Sequence, residues 1–311
     1  MALDLGYINE RIRSDAEGYV EECEAEYAAK IHKAAVSIAD NIRKSPLVLL
    51  SGPSGSGKTT TAKRIDDALK VLGINAHNVS LDDYFISPKT YGMPRTPEGD
   101  PDFESPDCID WPLLNTHFDG LETQCEIHIP HFSFSLQRRV AARAEPMCLN
   151  SDEIAIFEGI HALNTRITGR HPDAFKLYIS ARSDTLLDGK LVFKGTWTRL
   201  VRRAIRDDLF RASDASVTLA MWANVRRGEK AYISPFKDSA DLQLDTAIGY
   251  EIPAMRDLAR EVFAKAPQGA ERYDELTDLL ASLDAYADFD TSLVPPVSMI
   301  REFIGGGIYK Y

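Results

Sequence analysis

Residues 47–60 read Leu47-Val-Leu-Leu-Ser-Gly-Pro-Ser-Gly-Ser-Gly-Lys-Thr-Thr60: four apolar residues, then a glycine-punctuated turn that ends in a lysine and two threonines. Gly52 to Thr59 fit the pattern Gly-x-x-x-x-Gly-Lys-Ser/Thr. The context agrees, because the apolar run before the turn has the length of a buried strand and Gly57 to Leu72 follows with a helical pattern. Glycines at these positions let the main chain wrap a polyphosphate, whose charge the loop amides and the helix N-terminus attract. Lys58 can reach the terminal phosphates and Thr59 can offer its hydroxyl to Mg²⁺. A glycine-rich turn with a chance lysine would need neither flanking element. A nucleotide is the expected ligand.

Outward from this stretch the same alternation continues. Short apolar runs occur at Ala76–Ser80, Glu126–Ile129, Ile154–Phe157 and Phe175–Ile179, separated by helical patterns, which predicts a parallel sheet covered by helices on both faces. Ser87 to Pro112, rich in Pro, Gly, Asp and Glu, predicts a long loop of the kind that usually serves function. The C-terminal third reads as helices over 198–211, 214–227, 249–266 and 271–287. Before Pro46, the residues Ile8, Ile12, Ala16, Tyr19, Cys23, Tyr27, Ile31, Ala34, Ile38 and Ile42 recur three or four apart, predicting a long helix or helical hairpin over 7–43. Packing on the main domain is the expected role of that helix, with dimerisation as the alternative, so a homo-oligomer stays open. The expected organisation is an N-terminal helical segment, 1–45, and one domain over 46–311.

Composition narrows the classes. The 311 residues carry 36 basic and 47 acidic side chains, a formal charge of −11, with 44% hydrophobic and 27% charged residues, the profile of an ordinary globular chain. Such acidity argues against a general nucleic-acid binder, which needs a basic surface to displace counterions. Cys23, Cys108, Cys125 and Cys148 are dispersed, without zinc-site spacing, and read as thiols in a reducing compartment. No apolar run approaches the roughly 20 residues of a membrane span, and the N-terminus has no secretory pattern. The expected location is cytoplasmic, with no membrane partner.

A phosphate-binding loop alone does not separate a kinase from a GTPase switch, a motor or a transport ATPase. Three further features bear on the choice. Asp82 and Asp83 follow the second strand, where open α/β sheets place their ligands, and one carboxylate there can take a proton from a substrate hydroxyl; an acidic surface turn is the plain alternative. The strand Ile154–Phe157 ends in Glu158-Gly159, a carboxylate that can hold Mg²⁺ directly or through water, the alternative being a strand-terminating Glu at the surface. Thr198 to Arg211 carries Arg199, Arg202, Arg203, Arg206 and Arg211; the first four share a helix face and can close over a triphosphate, the alternative being a solvated face paired with Asp207 and Asp208. His131, His161, Phe132 and Phe134 by themselves read as structural residues.

In order, GPSGSGKTT at 52–60, Leu81-Asp-Asp-Tyr-Phe85, Phe103-Glu-Ser-Pro-Asp-Cys-Ile-Asp110, Ile129-Pro-His-Phe-Ser-Phe134, Phe157-Glu-Gly-Ile160 and the arginine run resemble the motifs of the uridine kinase and phosphoribulokinase family. The likeness spans 46 to about 250. Ser183–Trp197, Trp222–Glu229 and Arg301-Glu-Phe-Ile-Gly-Gly-Gly307 look like its bacterial uridine kinase-like branch. The resemblance implies a kinase-type P-loop NTPase fold with a helical lid near 198–212. It also implies Mg²⁺-dependent transfer of the ATP γ-phosphoryl to the 5′-hydroxyl of a pyrimidine nucleoside, uridine or cytidine. Asp82 then matches the general base and a metal-side carboxylate, Thr59 and Glu158 the Mg²⁺ positions, and Lys58 the phosphate-binding lysine. Gly52, Ser54, Gly55, Ser56, Gly57 and Thr60 match the rest of the ATP loop. Arg203, Arg206 and Arg211 match the lid, the first two in catalytic positions, with Arg203 also on the substrate. Tyr84, Glu104, Phe132 and Gln137 match substrate contacts. Glu104 stands where nucleoside kinases have Asp, Ser133 where the family has Asp, and Gln137 where animal relatives have a base-reading His. The rival readings are a same-family kinase for a sugar phosphate, pantothenate or glycerate, with Arg138, Arg139 and Arg143 as the basic cluster, and a nucleotide-binding regulatory protein without turnover.

Overall fold

The computed structural model describes residues 2–267, 269 and 272–310; Met1, Gln268, Ala270, Glu271 and Tyr311 lie outside it, including the start of the last expected helix. Strand β1 (Leu47–Ser51) is buried along its whole length and lies at the centre of a five-stranded sheet. The other strands are β2 (Asn75–Ser80), β3 (Glu153–Glu158), β4 (Phe175–Ser180) and β5 (Leu242–Asp245). Their order is β5-β4-β1-β3-β2, and every pairing is parallel. Alternate side chains feed two cores, as a pleat buried on both sides requires. Val48, Leu50, Ile154, Ile156, Leu177 and Ile179 point to one; Leu47, Leu49, Ala155, Phe157 and Tyr178 point to the other.

Helix α1 (Leu5–Asn41) buries Ile8, Ile12, Tyr19, Cys23, Tyr27, Ile31, Ala34 and Ile38, and Ala16 and Ile42 are only partly covered. Asp15 interrupts it with extended dihedrals, φ −161° and ψ 76°, and its carboxylate accepts from the Gly18 amide at 3.0 Å. The helix therefore breaks and restarts on an N-cap. Its face packs on α2 (Lys58–Val71), where Tyr27 Oη and Thr61 Oγ1 are 2.8 Å apart and Arg64 pairs with Glu24 at 3.1 Å. The N-terminal helix thus shares the core that backs the phosphate-binding loop.

Among the described residues, the remaining helices longer than two turns are α3 (Trp111–Glu122), α4 (Gly195–Phe210), α5 (Ala215–Gly228), α6 (Glu251–Phe263) and α7 (Tyr273–Leu283). One sequence expectation, the identity of the fifth sheet strand, is corrected. Ile127–Ile129 is a strand, but it pairs antiparallel with Glu145–Met147 outside the main sheet; His128 is exposed between two buried isoleucines, the pattern of a ribbon covered on one face. The fifth sheet strand is instead Leu242–Asp245, whose single fully buried residue gave no apolar run to read. Residues 183–197 include a hairpin, Thr185–Leu187 with Lys190–Phe193, flanked by Leu3–Asp4. Among the described residues, no helix is long and apolar enough to cross a membrane.

Candidate active site

The sheet register fixes the site. Leu50 lies opposite Glu158 on β3, and Ser80 lies opposite the same residue from the other side. The carboxyl ends of β1, β3 and β2 therefore deliver the loop from Gly52, Glu158 and the short 3₁₀ turn Leu81–Tyr84 to one place, where open α/β sheets bind ligands. Thr59 Oγ1 donates to Glu158 Oε1 at 3.4 Å. Lys58 Nζ folds back onto the carbonyls of Gly52 and Pro53, at 3.0 and 3.3 Å.

The loop turns through positive φ at Gly55 (+75°) and Gly57 (+82°), and a Cβ on Gly55 would lie 2.7 Å from the Arg199 carbonyl. Gly57 caps α2 without a side-chain bond, which leaves loop and first-turn amides for an anion. One first-turn donor is taken: Glu302 accepts from the Thr60 amide at 3.1 Å and from its hydroxyl at 2.6 Å. A loop whose amides face a ligand must send carbonyls the other way, and buried guanidiniums meet them. Arg199 donates to Ser54 O and Arg202 to Gly55 O, each at 3.2 Å, while Thr246 donates to Ser56 O at 2.8 Å. Glu229 and Glu251 neutralise the two arginines, at 2.8 and 2.6 Å. The four arginines expected on one ligand face are thus divided. Arg199 and Arg202, 2% and 0% exposed, brace the loop from behind, because α4 packs into the core instead of standing free in solvent. Arg203 reaches Ser54 Oγ at 2.9 Å, and Arg203, Arg206 and Arg211 share Asp207.

The charges gathered in front of the loop perturb one another. Burial lowers the Lys58 pKa, opposed by the carboxylates of Glu158, Asp82 and Glu302. Burial raises Asp82, opposed chiefly by Lys58 and Arg211. Burial also pushes Glu158 up to about 7, against the pull of Lys58, and Glu104 up to about 7, against that of Arg203. Lys58, Asp82, Glu104, Glu158, Arg203, Arg206 and Arg211 therefore form one interacting set. Buried carboxylates beside a threonine hydroxyl make a hard-oxygen donor group suited to Mg²⁺.

The other expected substrate contacts divide differently. Tyr84 is fully buried and its hydroxyl lies 2.9 Å from His117 Nδ1, so it is a core residue and not a substrate contact. Phe132 is 3% exposed among Phe85, Phe103 and Phe134, with no open face for a base, whereas Phe134 is 58% exposed. Gln137 is exposed at φ 51° in the turn of the hairpin joining Phe132–Ser133 to Arg138–Arg139, and no hydrogen bond ties it to the charged set. Asp83 accepts from the Phe132 amide at 2.9 Å, so of the acidic pair only Asp82 joins the cluster. His161 is 1% exposed and burial lowers its pKa to about 4, a neutral structural imidazole. Glu229, Glu251, Thr246 and Glu302 had no assigned role in the sequence. Glu229 and Glu302 lie in the stretches Trp222–Glu229 and Arg301–Gly307 singled out by resemblance, whereas Thr246 and Glu251 carried no local signal.

The sequence profile of the Phosphoribulokinase / Uridine kinase family matches residues 47–249. A uridine kinase of Halobacterium salinarum is 25% identical over 194 residues, 62% of this chain and 76% of that protein. One of Deinococcus deserti is 25% identical over 219 residues, 70% of this chain and 95% of that protein. One of Schizosaccharomyces pombe reaches 36% over 121 residues, 39% of this chain and 26% of its own length.

Proposed function

The chain belongs to the phosphoribulokinase/uridine kinase family and is a phosphotransferase acting on a hydroxyl group; from this premise we propose that it is a cytoplasmic nucleoside kinase, transferring the γ-phosphoryl of ATP to the 5′-hydroxyl of uridine or cytidine. The observation that carries the reading is the convergence of the Gly52–Thr59 loop, Asp82 and Glu158 at the carboxyl ends of three adjacent strands, with Thr59 Oγ1 on Glu158. Asp82 accepts the hydroxyl proton as the oxygen attacks phosphorus and ADP leaves; burial makes this carboxylate a stronger base than one in water. Lys58, Arg203, Arg206 and Arg211 hold the phosphates, whose transition-state charge is loosely spread and needs positioning more than covalent help. Thr59, Glu158 and Asp82 would hold Mg²⁺, which when bound neutralises charge on the transferring phosphates. Glu104 would accept from the ribose hydroxyls.

A neutral acceptor is favoured over a sugar phosphate, because two of the three arginines that would hold its phosphate are already engaged, Arg139 with Asp110 at 2.6 Å and Arg143 with His131 at 3.4 Å. The test incubates the protein with ATP, Mg²⁺ and a panel of uridine, cytidine, sugar phosphates, pantothenate and glycerate, reading products by mass spectrometry. UMP or CMP is the expected product. Product from another acceptor alone would overturn the substrate, and ATP hydrolysis without any acceptor product would turn the reading to a regulatory protein.

A further inference from the structure

We propose that the C-terminal segment Arg301–Tyr309, beyond the region matched to the family, forms one wall of the pocket for the nucleoside half of the donor nucleotide; the inference rests on the donor reading above. The segment is fastened along α2. Glu302 holds Thr60, and the Tyr309 hydroxyl donates to Asp67 at 2.7 Å, two turns further on. Between this strap and the end of α4 lies a cavity of about 360 Å³, in the size range of small-molecule sites. Thr59 forms part of its lining, so a phosphate chain seated on the loop has this cavity beside it.

The lining matches an anion with a flat apolar part. Arg206, Arg211 and Arg301 border the cavity against a single carboxylate, Glu302, which is already engaged by Thr60. The Arg301 guanidinium donates only to main-chain carbonyls, those of Thr291, Val294 and Gly305, and among the described residues it has no carboxylate partner. Phe210, 56% exposed, offers an apolar ring at the cavity's edge. Gly305–Gly307 face it with bare main chain, which offers amide and carbonyl edges to a base. At Gly305, φ is +80° and a Cβ would lie 3.2 Å from the Phe210 ring, so a side chain there would be strained and would crowd the ring. Asp82, Glu104 and Phe132 do not line this cavity, which separates it from the acceptor side.

The test is calorimetric titration of the wild type, Phe210→Ala and Gly305→Val with ADP and, separately, with inorganic tripolyphosphate, alongside thermal melts. The wild type should bind ADP more tightly than tripolyphosphate. Phe210→Ala, a change at an exposed side chain, should weaken ADP about tenfold, equivalent to 1.4 kcal/mol, and leave tripolyphosphate within about twofold, since stacking on an aromatic ring serves the base alone. Gly305→Val should do the same where its melt shows a folded protein. In turnover, the KM for ATP should rise while kcat and the acceptor KM hold. Equal ADP affinity in wild type and Phe210→Ala, or equal loss of both ligands, overturns the inference. Wild type that binds tripolyphosphate as tightly as ADP also overturns it while leaving the phosphotransfer reading intact. Wild type that binds neither overturns the donor reading on which it rests.

Discussion

Arg202 and Arg211 lie nine residues apart on one run, yet the first is completely buried between Glu251 and the Gly55 carbonyl while the side chain of the second is 60% exposed at the mouth of the loop. The same contrast separates the whole underside of the phosphate-binding loop from its front. Behind it, Arg199 pairs with Glu229, which Arg226 shares, and Arg202 pairs with Glu251, while further guanidinium donors reach the carbonyls of Ser54, Gly55 and Thr246. In front, Lys58, Asp82, Glu158 and Arg211 are imperfectly matched and shift one another's protonation. Pairing and burial, not residue type, decide which charges serve rigidity and which are left for chemistry. Substitutions on the two sides should therefore separate activity from stability.

The largest effect belongs to the front. Asp82→Asn removes the proton acceptor at nearly constant shape, and kcat should fall roughly 10²–10⁴-fold with nucleotide affinity and melting temperature near wild type. Unchanged turnover would take Asp82 out of the reaction. On the underside, Arg202→Ala leaves Glu251 buried and unpaired, at a cost of about 3–5 kcal/mol in folding free energy. Denaturant melts should show this, and Arg202→Met combined with Glu251→Met should recover much of it. A single variant as stable as wild type would mean that the arginine does not brace the loop. Arg211→Ala, by comparison, should lose activity with little change in melting.

The split explains what could be read in advance. Gly52–Thr59, Asp82 and Glu158 were legible because each sits at the end of an apolar run, so local pattern placed it at the strand ends. The fate of the arginines was not, because helical spacing puts Arg199, Arg202, Arg203 and Arg206 on one face without saying whether that face meets solvent, ligand or core. Their partners Glu229, Glu251 and Thr246 are 30 to 49 residues away, and only the fold brings them back. The acceptor side was less legible still: Tyr84 and Phe132 lie in motif positions, but their burial comes from contacts with Phe85, Phe103 and His117 that only the fold brings together.

Glu104 sharpens the comparison through pH. Burial raises its pKa to about 7, with Asp102 and Asp82 pushing the same way and Arg203 and Lys58 pulling it down. A carboxyl whose folded-state pKa is raised contributes stability below its ordinary range near 4.5, and that contribution is lost as pH climbs toward 7. Above that window the buried charge costs up to roughly 3 kcal/mol. Glu104→Gln should therefore gain in melting temperature relative to wild type as pH is raised from 5 to 8. If the ionised form accepts from acceptor hydroxyls, the wild-type acceptor KM should fall as pH rises through 7, and that dependence should vanish in Glu104→Gln. Parallel pH profiles in the two proteins would remove Glu104 from the acceptor pocket.

The smallest effect tests which aromatic ring meets the acceptor. Phe132 and Phe134 have centroids 5.3 Å apart at an angle of 75°, but Phe85 and Phe103 enclose the first and solvent meets the second. An exposed ring contributes little to folding, so Phe134→Ala should change stability by about 0.5 kcal/mol or less while raising the acceptor KM a few-fold and leaving the KM for ATP alone. Phe132→Leu keeps an apolar side chain in the cluster, costs under about 1.5 kcal/mol, and should leave both KM values unchanged. The reverse result, with the acceptor KM responding to Phe132→Leu and not to Phe134→Ala, would mean that the 132–139 hairpin swings outward on binding to expose the inner ring. The acceptor half would then be assembled by its ligand, in contrast to a donor loop already braced by Arg199 and Arg202.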